Sequence, residues 1–285
     1  RARYQDVVLQ KRLESALLKL NPWISEENLR KVVREFTHPN HAALMEYNQA
    51  LWELMCGTGE NAISVEQDLG KGRKSQTVTI IDFDVPDNND FVCTQQFKVQ
   101  GLHEAIIPDV VCFLNGLPVA VIECKSPYVV DAVSSGIDQL RRYANLKRPE
   151  DHEGAAKLFW YNQLMVSTCR DQAKVGTISS GAQHYGAWKD AYPYSDADIA
   201  RLLGGADIAG SQVRDVSSPA YLTDVHDTVT AEQVNPQERL LMGLFSPDNF
   251  LDAILNFIVF EAEDGRLIKK LARYQQFRAV QKVVR

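Results

Sequence analysis

Apolar residues recur every three to four positions from Tyr4 to Leu20, from Glu26 to Phe36 and from Ala42 to Met55. That spacing predicts three helices, the last ended by Gly57-Thr58-Gly59. The pattern then changes to short strand-like runs over Ile63 to Gln67, Thr77 to Val85, Phe91 to Val99, a hairpin from Ile106 to Lys125, and Leu164 to Thr168. Helical spacing returns from Val129 to Leu146, where Val133, Ile137, Leu140 and Ala144 define a buried stripe. It returns again from Pro236 through Leu255 and from Leu267 to the end. Between these, residues from roughly Gly204 to Asn235 are rich in Gly, Ser, Thr and Asp and read as a loop or linker. The order predicts an α/β fold, a mixed sheet flanked by helices plus a C-terminal helical segment, with a boundary near residue 235 dividing 1–235 from 236–285. No internal repeat is evident.

One hairpin breaks the apolar pattern. Pro108-Asp109-Val110-Val111-Cys112-Phe113-Leu114 and Leu117-Pro118-Val119-Ala120-Val121-Ile122-Glu123-Cys124-Lys125 place three charges in runs that otherwise belong in a core. An ionised group in an apolar sheet is disfavoured by roughly several kcal/mol unless it is paired or binds a metal. Asp109, Glu123 and Lys125 can satisfy one another as an internal salt bridge. Two carboxylates with a divalent cation satisfy them better, since hard oxygen ligands suit Mg²⁺, which keeps water molecules in its shell. Lys125 lies two residues beyond Glu123, so both project from the same face of the strand. There the ammonium can orient a water or steady developing negative charge.

Register sets a condition on this grouping. A strict two-residue loop at Asn115-Gly116 pairs Leu114 with Leu117 and puts Asp109 and Glu123 on opposite faces. A three-residue loop from Leu114 to Gly116 pairs Phe113 with Leu117 and brings Asp109 diagonally beside Glu123. A bulge near Pro108 or Glu123 achieves the same result, and one of these two devices is expected.

The helix that follows carries a second line beside its apolar stripe: Ala132, Gly136, Gln139 and Tyr143. The small residues permit close approach to the sheet, and Gln139 and Tyr143 share a face from which an amide and a phenol can reach the end of the strand. Taken alone, they read first as ordinary half-buried helix residues, with Arg141, Arg142, Lys147 and Arg148 as a solvated face.

Together, Pro108-Asp109, Glu123-Cys124-Lys125 and Gln139-Leu140-Arg141-Arg142-Tyr143 resemble the PD-(D/E)xK nuclease signature followed by the Q-x-x-x-Y motif of its RecB-like branch. Phe113 to Pro118, Leu158 to Asn162, Asn256 to Phe260 and Lys270 to Val280 resemble the amino-terminal region of the R (restriction) subunit of type I restriction enzymes. This resemblance implies a restriction-endonuclease-like core in which Asp109 and Glu123 ligate Mg²⁺, with the Cys124 carbonyl as a further ligand. Lys125 would position the attacking water, while Gln139, Tyr143, Arg141 and Arg142 would support the site or contact DNA. RecB-like folds often add an acid from an early helix; nothing selects Glu46 or Glu53 for that role, and both read as surface. The family further implies double-stranded DNA as substrate, methylation and specificity subunits as partners, and ATP used only by a motor domain that 236–285 leads into. A stand-alone repair nuclease and a non-catalytic docking module with the same fold are the alternatives.

Composition narrows this picture. The 285 residues allow one large domain or two small ones. No apolar run reaches a membrane span and no signal-peptide pattern opens the chain, which predicts a cytoplasmic protein. The chain opens on Arg1 and not Met, which suggests a processed, trimmed or partly disordered start. Five widely spaced cysteines read as reduced core residues, neither a disulfide frame nor a zinc site. His38-x-x-His41, flanked by Pro39, reads as a loop. Gly70 to Ser75 lacks the spacing of a phosphate loop and reads as a basic turn, so ATP hydrolysis is not expected in these residues. The net charge of −6 disfavours coating of DNA by bulk electrostatics. The last twenty residues, however, hold seven cations and no acid, a basic amphipathic end that could touch DNA or another domain.

Overall fold

Turn chemistry fixes the central hairpin. Asn115 and Gly116 both take positive φ (50° and 80°), the left-handed pair that closes a two-residue loop with the twist of antiparallel strands. The Asn115 amide is buried and donates to the carbonyl of Ile80 and to Asn89 Oδ1, which anchors the turn to the rest of the molecule. In the computed structural model, which describes residues 3–38, 43–57, 61–70, 72–203 and 230–284, the chain opens with helices α1 (Gln10–Leu20), α2 (Glu26–Thr37) and α3 (Leu44–Cys56). An antiparallel ribbon of β1 (Ser64–Asp68) and β2 (Arg73–Thr77) follows. Next come β3 (Phe91–Gln95), β4 (Val99–Gln100), β5 (Ala105–Ile106), β6 (Val110–Leu114), β7 (Leu117–Cys124) and α4 (Ala132–Tyr143). The chain continues through α5 (Ala156–Phe159), β8 (Leu164–Thr168), β9 (Ala173–Gly176), β10 (Gly186–Ala187) and α6 (Asp196–Leu203). It ends with α7 (Pro236–Leu244), α8 (Pro247–Asn256), β11 (Ile258–Glu263), β12 (Arg266–Leu271) and α9 (Tyr274–Val284).

The main sheet has the order β10-β9-β8-β7-β6-β3. Only β7 and β8 run parallel, joined by a crossover that contains α4, so the sheet is mixed and flanked by helices, as the residue pattern predicts. β7 is central and buried along all but its last residue, which explains its nearly unbroken apolar run. Val111, Phe113, Leu117, Val119 and Val121 anchor a core that also takes in Leu13 and Leu17 of α1 and Phe277 of α9.

Three expectations need correction. Thr77 to Val85 is not a strand: β2 ends at Thr77, and Val78, Ile80 and Ile81 are buried in irregular chain. Asn21 takes the place of a partner strand there, accepting from the Thr79 N–H and donating to the Thr79 carbonyl. Secondly, the segment from Leu267 does not begin as a helix. Asp264-Gly265, both at positive φ, turns β11 back on β12, and α9 starts at Tyr274. Leu267 and Leu271 are four residues apart, a spacing that suits a period of two as well as one of 3.6.

Thirdly, the cysteines are not all core residues. Cys93 and Cys124 are exposed, and Cys93 lies against Cys112. The stretch read as a linker lies largely outside the described residues, as does His41. Residues 236–284 share the main core, since Trp52 Nε1 donates to the Ile254 carbonyl and Lys269 is buried with α3. Among the described residues, no helix is long and apolar enough to cross a membrane.

Candidate active site

The device that aligns the carboxylates is a bulge, and its position differs from both expected places. The loop is the strict two-residue form, with Leu114 opposite Leu117 and Phe113 opposite Pro118. The register then shifts, so that Cys112 faces Ala120 and Val110 faces Ile122, leaving Val119 as the extra residue of β7. Continuing one step sets Asp109 directly opposite Glu123, not diagonal to it.

At this end of the hairpin the polar groups are tightly specified. Asp109 accepts from the Cys124 N–H through Oδ2 (2.8 Å) and from Gln96 Nε2 through Oδ1 (3.1 Å). Glu123 is 1% exposed, and Lys125 Nζ donates to its Oε1 at 2.8 Å. The same Nζ donates to Gln139 Oε1 at 2.6 Å, and Gln139 Nε2 donates to the Tyr143 hydroxyl at 2.7 Å. The structure therefore brings Asp109, Glu123, Lys125, Gln139 and Tyr143 together, with the Cys124 backbone between the two acids.

Gly136 permits this. A Cβ there would lie 2.2 Å from Ser167 Oγ and 3.6 Å from Lys125 Cγ, so only glycine lets α4 approach the strands so closely. Ser167, paired with Glu123 across β7 and β8, donates to the Val133 carbonyl at 2.8 Å and fastens the helix.

Electrostatics set Glu123 apart. Burial, with a further push from the charge of Asp109, raises its pKa to about 7 against the opposing pull of Lys125. Burial also raises Tyr143, which keeps it a neutral hydrogen-bonding group. Glu123 Oε2 is buried with no partner. A carboxylate oxygen left without a donor beside a second carboxylate is what a cation would satisfy, so the residues present fit a divalent metal. Among the described residues, no group of three or more His, Cys, Asp or Glu side chains is placed to hold a metal, so that fit rests on two acids and a backbone carbonyl.

Arg141 and Arg142 are less central. Arg142 pairs with Glu153 at 3.7 Å, and Arg141 lies near enough to the buried Tyr185 to act on its hydroxyl. Glu53 accepts from Gln49 and Asn61. The basic end is partly spent internally. Lys269 is fully buried, with Nζ donating to Asn48, Asn162 and Gln163; Lys270 bridges Glu261 and Glu263, and Arg278 pairs with Asp190. Gln96 and Ser167 went unnoticed in the sequence. Ser167 is signalled only as a polar residue in the buried run of β8, and no signal marks Gln96.

A family model described as "Type I restriction enzyme R protein N terminus" matches residues 1–184. The chain is 28% identical over 280 residues to a Haemophilus influenzae protein named "Type I restriction enzyme HindI endonuclease subunit", covering 98% of this chain and 23% of that one. It is 24% identical over 291 residues to the "Putative type I restriction enzyme MjaIXP endonuclease subunit" of Methanocaldococcus jannaschii, covering 100% of this chain and 24% of the relative. The chain thus spans less than a quarter of the length of these curated relatives. With the matched model covering well over half of its residues, the chain belongs to the family of type I restriction enzyme R protein N termini.

Proposed function

We propose that this chain is the Mg²⁺-dependent endonuclease part of a type I restriction R subunit, with a PD-(D/E)xK core of the RecB-like branch. The observation that carries the reading is the alignment of Asp109 and Glu123 by the Val119 bulge, with one buried oxygen of Glu123 left for a cation. Asp109, Glu123 and the Cys124 carbonyl would hold Mg²⁺. When bound, the ion would lower the pKa of a water and offset charge on the phosphorus centre.

The chain's own residues have separable tasks. Lys125, held between Glu123 and Gln139, presents a positive charge and N–H donors at the site, where they orient the attacking water and steady charge on the scissile phosphate. Gln139 is a positioning residue, since its amide oxygen fixes the lysine. The Tyr143 hydroxyl accepts from the other end of that amide and sets its orientation. Double-stranded DNA is the substrate, with Arg141 and Arg142 along its path. In this reading residues 1–235 form the nuclease domain and 236–285 lead into an ATP-driven motor beyond this chain. Methylation and specificity subunits choose the site, and the complex works in the cytoplasm.

The Glu123–Lys125 ion pair also suits a non-catalytic docking module in which the charges only satisfy each other. Glu123→Gln and Lys125→Ala separate the two readings in the full-length subunit assembled with its partners. The nuclease reading predicts normal assembly and ATP hydrolysis with DNA cutting lost. Loss of assembly in both variants, or cutting retained in both, would favour the docking module.

A further inference from the structure

Cys93 and Cys112 face each other across β3 and β6, with sulfurs 3.3 Å apart. The ladder shows what kind of pair this is. The Gln96 N–H donates to the Asp109 carbonyl, and the Asn115 N–H donates to the Asp90 carbonyl. Both belong to the register that pairs Cys93 with Cys112, and they make positions 90, 92, 94 and 96 the hydrogen-bonded sites. Cys93 and Cys112 therefore occupy a non-hydrogen-bonded site, where opposing Cα atoms lie about 4.5 Å apart, within the range a disulfide requires. Cys93 is exposed on the edge strand, whereas Cys112 is buried beneath it.

We propose that Cys93 and Cys112 form a two-thiol oxidation site, in which the exposed Cys93 attacks a peroxide and the buried Cys112 resolves the product into a cross-strand disulfide. The Cys93 thiolate takes one oxygen as the O–O bond breaks, giving a sulfenic acid and hydroxide. The Cys112 sulfur then bonds to the Cys93 sulfur and displaces the second hydroxide, while its own proton completes a water. Two thiols and one hydrogen peroxide become one disulfide and two waters. The Cys112 S–H stabilises the Cys93 thiolate and lowers its pKa to about 7, whereas burial pushes Cys56 up to about 12. Among these thiols, only Cys93 combines exposure with thiolate character. The site lies three residues from both Gln96 and Asp109, so closing it ties together the two strands that hold this acid, on the sheet face opposite the carboxylates.

The test treats the folded full-length protein with hydrogen peroxide, alkylates the remaining thiols and maps peptides without reduction. The expected product is a Cys93–Cys112 disulfide that dithiothreitol reverses, with Cys93 reacting more than about tenfold faster than Cys124. In Cys112→Ser, Cys93 should carry a sulfenic acid trapped by dimedone; in Cys93→Ser, Cys112 should remain a thiol. Far-ultraviolet circular dichroism confirms that each variant is folded. Oxidation of Cys124 ahead of Cys93, a bond from Cys93 to another cysteine, or equal oxidation of Cys112 in Cys93→Ser would overturn the proposal.

Discussion

Gln139 accepts a hydrogen bond from Lys125 Nζ at 2.6 Å, so a side chain on α4 fixes the lysine at the end of β7. Removing the amide in Gln139→Ala frees the ammonium to follow Glu123 alone. In the proposed enzyme, single-turnover cleavage should fall by roughly 10- to 100-fold with DNA affinity changed less than about threefold, since positioning acts on the chemical step. Tyr143→Phe loses one hydrogen bond to the amide and should slow cleavage by less than about tenfold. A loss confined to DNA affinity in Gln139→Ala would show that the residue binds DNA instead.

Gly136 has no room for a side chain. An alanine there must push Ser167 Oγ or the helix away from a 2.2 Å contact, and Ser167 is already committed to the Val133 carbonyl. Gly136→Ala should destabilise the protein by about 1–3 kcal/mol in urea titration, the scale of overpacking in a core. Adding Ser167→Ala should recover part of that loss; no recovery would place the clash elsewhere.

Much of this site could be read in the residues because its rules are local. The hairpin at Asn115-Gly116, the apolar β7 and the line Gly136, Gln139, Tyr143 each follow from periodicity or turn chemistry. The bulge at Val119 was not legible at its position, since any residue of an apolar run can be the extra one. Gln96 was hidden for a different reason. Its contact with Asp109 depends on the chain leaving β3 at Gln96 with a positive φ of 50°, which no glycine marks. The β11–β12 hairpin is signalled only by the Asp264-Gly265 turn, because Leu267 and Leu271 suit a helical repeat as well as strand alternation. Lys269 likewise reads as a surface cation until Asn48, Asn162 and Gln163 supply it with acceptors in the core.

That buried lysine ties α3 to β12. Lys269→Ala leaves the acceptors of Asn48 and Gln163 unpaired and opens a cavity between α3 and β12. It should cost about 2–5 kcal/mol by thermal or urea unfolding. An effect under about 0.5 kcal/mol would mean that water enters and replaces the ammonium.

Glu123 sets the pH dependence. Its folded pKa of about 7 lies above the ordinary 4.5, so the folded state binds the extra proton between these values. Without metal, its contribution to stability is present below about pH 4.5 and is lost as pH rises through 7. The loss should amount to no more than about 3 kcal/mol. Glu123→Gln should remove this part of the pH profile, and Mg²⁺ should raise the melting temperature of the wild type more at pH 8 than at pH 5. Equal stabilisation at both pH values, or in Glu123→Gln, would place the ion elsewhere.

If Asp109, Glu123 and Lys125 cut DNA with a divalent metal, as proposed, nicking of supercoiled plasmid will show it. The assay would use the full-length subunit with its partners, ATP and Mg²⁺, and the same complex carrying Lys125→Ala. Mg²⁺-dependent cutting should fall by at least about a hundredfold in the variant while ATP hydrolysis persists. Equal cutting by the variant, or none by the wild-type complex as it hydrolyses ATP, would contradict it.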